Sequence, residues 1–275
     1  MKRAGLKLPA EDRRIADLII APAEPKTVNV GGKPQIIHEG FRVVCLGETG
    51  SGKTTMMRMI VYHTLDKGYA DFALIHDTKS FVLPEYPRSL MAPNVPTFRR
   101  RWFKQGEVPV VSFRGDPRYD VECSAEEVAA YSKDLGQHGR KSSDGSWVPL
   151  PHLLVIEELA EAASAGRKHV NAPSVLWALE RGRKLGVSTL GTTQSPRKIP
   201  LDFMGQATAI VFFRLTGADA NYLGERLHLD PKMIATIAGP NHEGLQNHDY
   251  VLYMKSVAWD GKVHRLEKST ARMFE

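Results

Sequence analysis

The sequence predicts an α/β fold: a mainly parallel central sheet with helices covering both faces. Short apolar runs alternate along the chain with segments of helical periodicity, the pattern of strands joined by crossover helices. Several of those runs are apolar at nearly every position, as strands buried on both faces must be. A glycine-rich turn, Gly47-Glu-Thr-Gly-Ser-Gly-Lys-Thr54, joins one run to an amphipathic segment, and that strand–turn–helix order belongs to nucleotide-binding α/β domains.

Taken in order, residues 1–40 read as an N-terminal arm with a hairpin, because Gly31-Gly32 separates Val28-Asn29-Val30 from Ile36-Ile37. The core is expected over 41–258, followed by a C-terminal extension at 259–275. Its expected strands are 42–46, 72–76, 108–113, 152–156, 187–192, 209–214 and 250–254. Beyond Gly52, Met56, Met57, Ile60, Val61 and Leu65 fall on one helical stripe, and Gly68 stops it; the methionines read as core filler. Ser124 and Glu127 have the spacing of a capping box, opening a helix through Val128 and Tyr131. The turn-rich stretch 136–145 reads as a loop, and Pro173 suits the first turn of a helix carrying Val175, Leu176 and Leu179.

Composition bounds the function without choosing it. With 275 residues, 42% of them hydrophobic and 25% charged, the chain has a globular composition and length enough for a real core. Its two cysteines, Cys45 and Cys123, suit a reducing compartment better than a disulfide scaffold. No apolar run approaches the roughly 20 residues of a membrane span, and the N-terminus lacks a signal-peptide core, so a cytoplasmic protein is expected. The net charge of +6 is compatible with a polyanionic partner.

The turn at 47–54 matches G-x-x-x-x-G-K-[ST] at every constrained position. Gly47, Gly50 and Gly52 let backbone N–H groups turn inward around phosphates, with Thr49, Ser51 and Thr55 completing the cradle. Lys53 would neutralise the β and γ oxygens of ATP, and Thr54 would offer its hydroxyl to Mg²⁺. The strand at 152–156 ends in Glu157-Glu158, which assigns Glu157 to the metal and Glu158 to activation of water. Acidic residues also suit the start of a helix. A carboxylate beside the γ-phosphate promotes attack by water, which a kinase must exclude, so hydrolysis driving motion is the better reading.

Four segments in order give the chain a family resemblance: GETGSGKTT at 47–55, FALIHDTKS at 72–80, LLVIEE at 153–158 and ERGRKLGVSTLGTTQSP at 180–196. Together they resemble the HerA–FtsK superfamily of RecA-like P-loop ATPases. The second resembles that family's strand ending in Asp-x-Lys, here Asp77 and Lys79; the fourth resembles its Gly-Arg-Lys helix end feeding a strand that stops at Thr-Gln. The resemblance implies a RecA-like core, a γ-phosphate-sensing role for Gln194, and a trans-acting arginine finger at Arg183, with Arg214 the next candidate. A strand-end position suits Gln194 to that task, whereas cations such as Arg183 at a helix end also complement the dipole. The family usually has Asp-Glu where this chain has Glu157-Glu158, which leaves the division of labour between the two carboxylates open.

The resemblance further implies a homo-oligomer, expected as a hexameric ring, that acts on DNA, expected double-stranded and without sequence preference. Basic clusters at 98–103, 140–141 and 167–169 are the expected DNA contacts. The short flanks leave little room for a membrane domain or long linker, which tilts the expectation to genome-packaging ATPases of membrane-containing icosahedral viruses, in host cytoplasm or on the virion. The alternatives are a motor for phage extrusion, conjugation or secretion, and a nucleotide-controlled assembly protein that does not translocate. A capsid-vertex or membrane protein would dock such a motor.

Overall fold

Strand β3 (Arg42–Leu46) is buried at every position, and its alternation shows why. Val44 and Leu46 enter one apolar cluster, Val43 and Cys45 the other, so each face of the sheet has its own core. The computed structural model describes residues 7–76, 90–92, 110–113, 124–141, 147–148, 150–162, 172–238, 245–256 and 258–274. On β3 the chain builds a sheet with β4 (Phe72–His76), β5 (Leu90–Ala92), β6 (Val110–Phe113), β9 (His152–Ile156), β10 (Val187–Thr193), β11 (Ala209–Phe212), β12 (Asp249–Met254) and β13 (Ala258–Trp259). Their order is β13-β12-β11-β3-β10-β9-β4-β6-β5, with β14 (His264–Arg265) pairing β12. From β11 to β5 the neighbours are parallel; β12 turns antiparallel to β11.

This order confirms the α/β class and a mainly parallel sheet. It also puts β10 between β3 and β9, so the carboxyl ends of three strands lie side by side, where ligands bind in open α/β sheets. β3, β4 and β9 keep the expected bounds, while β10 reaches Thr193 and β11 stops at Phe212; of the strand expected at 108–113, positions 108 and 109 lie outside the described residues.

One face of the sheet carries α3 (Ala125–His138), α5 (Pro173–Glu180), α6 (Leu201–Gln206), α7 (Gly217–Leu227) and α8 (Pro231–Ala238). The Ser124 capping box forms in full, the hydroxyl accepting from Glu127 N–H and the Glu127 carboxylate from Ser124 N–H. Glu126 accepts from Ser174 and Val175 N–H, tying the start of α5 to α3. The stretch expected as a loop from 136 is helical as far as His138. Gly136 permits this: a Cβ there would lie 2.8 Å from Val187 Cγ2, so bare backbone lets α3 close onto β10. Beyond it, β7 (Arg140–Lys141) pairs with β8 (Trp147–Val148).

The other face carries α2 (Lys53–Asp66), which is buried over nearly all its circumference. Its inner side takes the expected stripe of Met56, Met57, Ile60, Val61 and Leu65 onto the sheet. Its outer side is covered by both ends of the described chain. α1 (Ala10–Ile20) buries Ile15, Ala16, Ile19 and Ile20, so part of the segment read as an arm is core; only β1 (Lys26–Val30) and β2 (Lys33–Ile37) stand apart, as a two-stranded hairpin. Asp17 accepts from His63 Nε2 at 2.8 Å and pairs with Lys67 at 2.9 Å. At the other end, α9 (Lys268–Phe274) also packs on α2, and the fully buried Asp12 accepts from Thr270 Oγ1 and from Glu267 N–H at 3.2 Å. Burial pushes the Asp12 carboxyl up despite those bonds. Burial likewise pushes the Cys45 thiol up to about 12, which makes it a core residue and not a reactive one.

His152 opens β9 inside the core, Nδ1–H donating to Leu150 C=O and Nε2 accepting from the Ser132 hydroxyl, both at 2.7 Å, with Phe72 stacked on the ring. Both nitrogens are engaged as in neutral imidazole, and burial lowers the pKa to about 4. The unfolded chain, with a pKa near 6.5, therefore binds a proton that the folded chain refuses between those values. Stability from this group is whole above pH 6.5 and falls as pH drops toward 4, by on the order of 2 kcal/mol at pH 5. Urea unfolding at pH 7 and pH 5 should show that loss in the native chain and not in His152→Gln; equal losses in both would refute it.

Candidate nucleotide site

The phosphate-type loop runs from the end of β3 into α2, and its conformation explains its glycines. Gly52 has φ 112°, and a Cβ there would meet His248 Cδ2 at 3.0 Å and Phe213 Cε1 at 3.1 Å. At Gly47 a Cβ would meet Phe213 Cβ at 2.6 Å and Ser51 Oγ at 2.9 Å. The loop is pinned on two sides by backbone: Gly47 N–H donates to Thr193 C=O at 3.2 Å, and Glu48 N–H to Arg214 C=O at 3.0 Å. His248, itself at φ 69°, donates its N–H to Ser51 C=O at 2.9 Å.

Within the loop, buried Lys53 donates from Nζ to the carbonyls of Gly47 and Glu48, each at 2.6 Å. Ser51 Oγ is buried without a hydrogen-bond partner. Thr54 is exposed in the first turn of α2, whereas Thr55 is buried behind it, and Thr49 and Gly50 are exposed at the loop's tip. A cation inside a ring of glycine backbone, an orphaned hydroxyl and an exposed threonine at a helix start fit a nucleotide polyphosphate with its Mg²⁺.

The carboxylates arrive from β9. Glu157 is buried, its N–H donating to His76 C=O at 3.3 Å across the sheet. Glu158 turns out of the strand with φ 55°, the left-handed region a residue with a side chain seldom adopts. Its conformation is held by its surroundings: its carboxylate accepts from the Thr193 hydroxyl at 2.6 Å and from Gln194 N–H at 3.3 Å. Its own C=O starts α4 (Leu159–Ala162) by accepting from Glu161 N–H at 3.0 Å. Leu159 then fits onto the bare backbone of Gly191, where a Cβ would lie 2.0 Å from Leu159 Cδ1.

Gln194 closes the circuit, its Oε1 accepting from Thr49 Oγ1 at 2.8 Å. Thus Glu158, Thr193, Gln194 and Thr49 form one hydrogen-bonded chain from β9 across β10 to the phosphate loop. Arg214 joins from β11, Nε to Glu48 Oε2 at 2.9 Å, so it lies beside this chain's own loop.

The structure therefore gathers Gly47 through Thr55, Glu157, Glu158, Gln194 and Arg214 at one edge. Arg183 is at the other: it lies in a 3₁₀ turn, Gly182–Leu185, just before β10, with the seven residues of that strand between it and Gln194. Asp77, Lys79 and the clusters at 98–103 and 167–169 lie outside the described residues; Arg140 and Lys141 form β7. Sequence reasoning missed Thr193 as the partner of Glu158, Glu48 as that of Arg214, and His248 over the loop. Thr193 carried a signal, a hydroxyl at a strand end beside an assigned residue; His248, almost 200 residues from the loop, carried none.

No protein-family model and no curated protein matches the chain. Solved structures do. The genome packaging NTPase B204 from Sulfolobus turreted icosahedral virus 2, in complex with AMPPCP, matches with TM-score 0.57 and 16% identity over 83% of this chain and 98% of that one. B204 has also been solved with ATP-γ-S and with AMP. The bacterial conjugative coupling protein TrwBΔN70 matches with TM-score 0.51 and 13% identity over 95% of this chain and 92% of that one. Both are HerA–FtsK-type P-loop ATPases. This chain has their fold. In that RecA-like core the strand bearing Gln194 lies between those bearing the phosphate loop and the paired glutamates.

Two substitutions probe the local geometry of that core. Gly191→Ala should destabilise the protein by about 1–3 kcal/mol, since Leu159 must leave its seat and draw Glu158 with it. Gly52→Ala should destabilise it through backbone strain at φ 112°. Chemical denaturation checks both; wild-type stability in either would contradict the packing described.

Proposed function

We propose that the chain is an ATP-hydrolysing DNA translocase working as a homo-oligomeric ring, and that it packages a viral genome. The observation that carries the hydrolytic part is the hydrogen-bonded chain from Glu158 through Gln194 to Thr49, which links a carboxylate and an amide to the phosphate loop. The fold shared with B204, 98% of which is covered, is the support for the packaging reading. No helix among the described residues is long and apolar enough to cross a membrane.

In this reading Lys53 and the backbone of 47–54 hold the phosphates of ATP, and Thr54 and Glu157 hold Mg²⁺. Bound Mg²⁺–ATP supplies a phosphoanhydride whose hydrolysis releases free energy, with part of its charge neutralised by the metal. Glu158 accepts a proton from the attacking water once its carboxylate exchanges the Thr193 hydroxyl for that water. Gln194 reports the γ-phosphate, because Thr49, its partner, stands at the exposed tip of the loop. Arg183 serves a neighbouring copy, placed as it is at the edge away from its own loop.

Duplex DNA should stimulate ATP hydrolysis, with stimulation fading as salt rises, because contacts to phosphates displace counterions. Glu158→Gln should lower kcat by roughly 10²-fold or more while nucleotide binding persists, and Lys53→Ala should abolish binding. Displacement of a roadblock from one end of a duplex tests translocation. ATP turnover indifferent to DNA, with no displacement, would reduce the protein to a nucleotide-controlled assembly factor.

A further inference from the structure

The segment linking the hairpin to β3 forms a seat under the turn that carries Arg183. Gly40 N–H donates to Arg183 C=O at 2.8 Å, and Gly186 N–H donates to the same carbonyl at 3.2 Å. A side chain at 40 could not be accommodated, since its Cβ would fall 2.2 Å from Val187 O. Glu39 Oε2 accepts from the Arg183 guanidinium at 3.2 Å. One turn earlier, Arg42 donates to Glu180 C=O at the end of α5 and, at 3.0 Å, to Gln206 Oε1.

Arg42 is an expensive way to close a helix end. It is only 7% exposed, its Nε is buried without a partner, and burial together with the nearby Arg183 charge lowers its pKa. The Arg183 charge works against this buried cation and the Glu180 carboxylate works for it, so its place is set by its two hydrogen bonds and by the charges at the end of α5. The seat also opens on a cavity of about 700 Å³ whose lining includes Trp177, Arg181 and Lys184, which leaves room for an anion carried by another molecule.

We propose that Glu39 and Arg42 are positioning residues that seat Arg183 for the nucleotide phosphates held by an adjacent copy of the chain. The inference rests on the reading of Arg183 as a cation that acts in trans. Glu39 fixes the direction of the guanidinium, and Arg42 fixes the helix end from which it projects. Because Arg42 is the first residue of β3 and the phosphate loop follows its last, the seat and the subunit's own nucleotide site are the two ends of one buried strand.

Mixing experiments separate a defect given to a neighbour from one kept at home. Arg42→Met should lower kcat about 10- to 100-fold with the KM for ATP little changed, as expected when a catalytic group is misplaced by about an ångström. Mixed with Lys53→Ala chains, which cannot hydrolyse but keep the seat intact, Arg42→Met should regain several-fold in rate per competent site, because its neighbours now supply a correctly seated Arg183. Glu39→Gln, at a half-exposed position, should behave alike and stands in if Arg42→Met fails to fold. Rescue of Arg183→Ala by Lys53→Ala without rescue of either seat variant would overturn the inference alone. Failure to rescue Arg183→Ala itself would remove the trans reading and the inference with it.

Discussion

The hydrogen bond from Thr193 to the Glu158 carboxylate is the joint on which the site depends. It spans the ends of two adjacent parallel strands and holds Glu158 in a left-handed conformation that costs about 1–3 kcal/mol when unsupported. With the bond from Gln194 N–H to the same oxygen, it sets the direction of the carboxylate. The joint exists because β10 lies beside β9, and the loop comes within reach of Gln194 because the other neighbour of β10 is β3. The site is therefore a consequence of topology first and of residue choice second.

Topology alone does not fix the loop, and the rest of its rigidity comes from the far ends of the described chain. Ser51 C=O accepts from His248 N–H, and His248 C=O accepts from Leu266 N–H. The next residue, Glu267, donates its N–H to Asp12. These bonds, backbone to backbone until the last reaches the Asp12 carboxylate, tie the phosphate loop through the C-terminal segment to α1, and both terminal helices of the described chain cover the helix that the loop opens. α2 is thus held between the sheet and an outer layer, which allows a helix apolar on most sides to stand at the edge of the domain.

How much of this was legible follows from what each residue must satisfy locally. Buried parallel strands need apolar side chains on both faces, so 42–46, 72–76 and 152–156 announced themselves, and the phosphate loop did so because every constrained position in it answers to backbone geometry. α1 did not: in AEDRRIADLII the buried Ile15, Ile19 and Ile20 are interleaved with charges, and their burial is decided by α2, more than thirty residues on. Gly136 looked like a loop former because glycine usually is one; here its missing side chain serves the approach of Val187. For Thr193 the only signal was a hydroxyl at a strand end beside Gln194, and for Arg42 and Glu180 there was none, since each contact joins residues far apart in sequence that the fold brings together.

The unusual groups of this protein separate into two kinds when one asks what a neutral substitute would change. His152 is buried uncharged, with both nitrogens satisfied by Ser132 and Leu150, so it behaves as a shaped, polar piece of core, and a close isostere loses only the fit. Asp12 is similar in that its bonds to Thr270 and Glu267 fasten one helix to another. Glu158 and Arg42 are different, because each carries a local cost: a glycine would take the φ of Glu158 without strain, and the Arg42 cation is buried near the Arg183 charge, with its bonds to Glu180 and Gln206 and the Glu180 carboxylate offsetting that in part. A strained acid at one end of the sheet and a desolvated base at the other both cost local stability. What Glu158 and Arg42 share is an address, each at the end of a central strand that leads to the other edge of the domain.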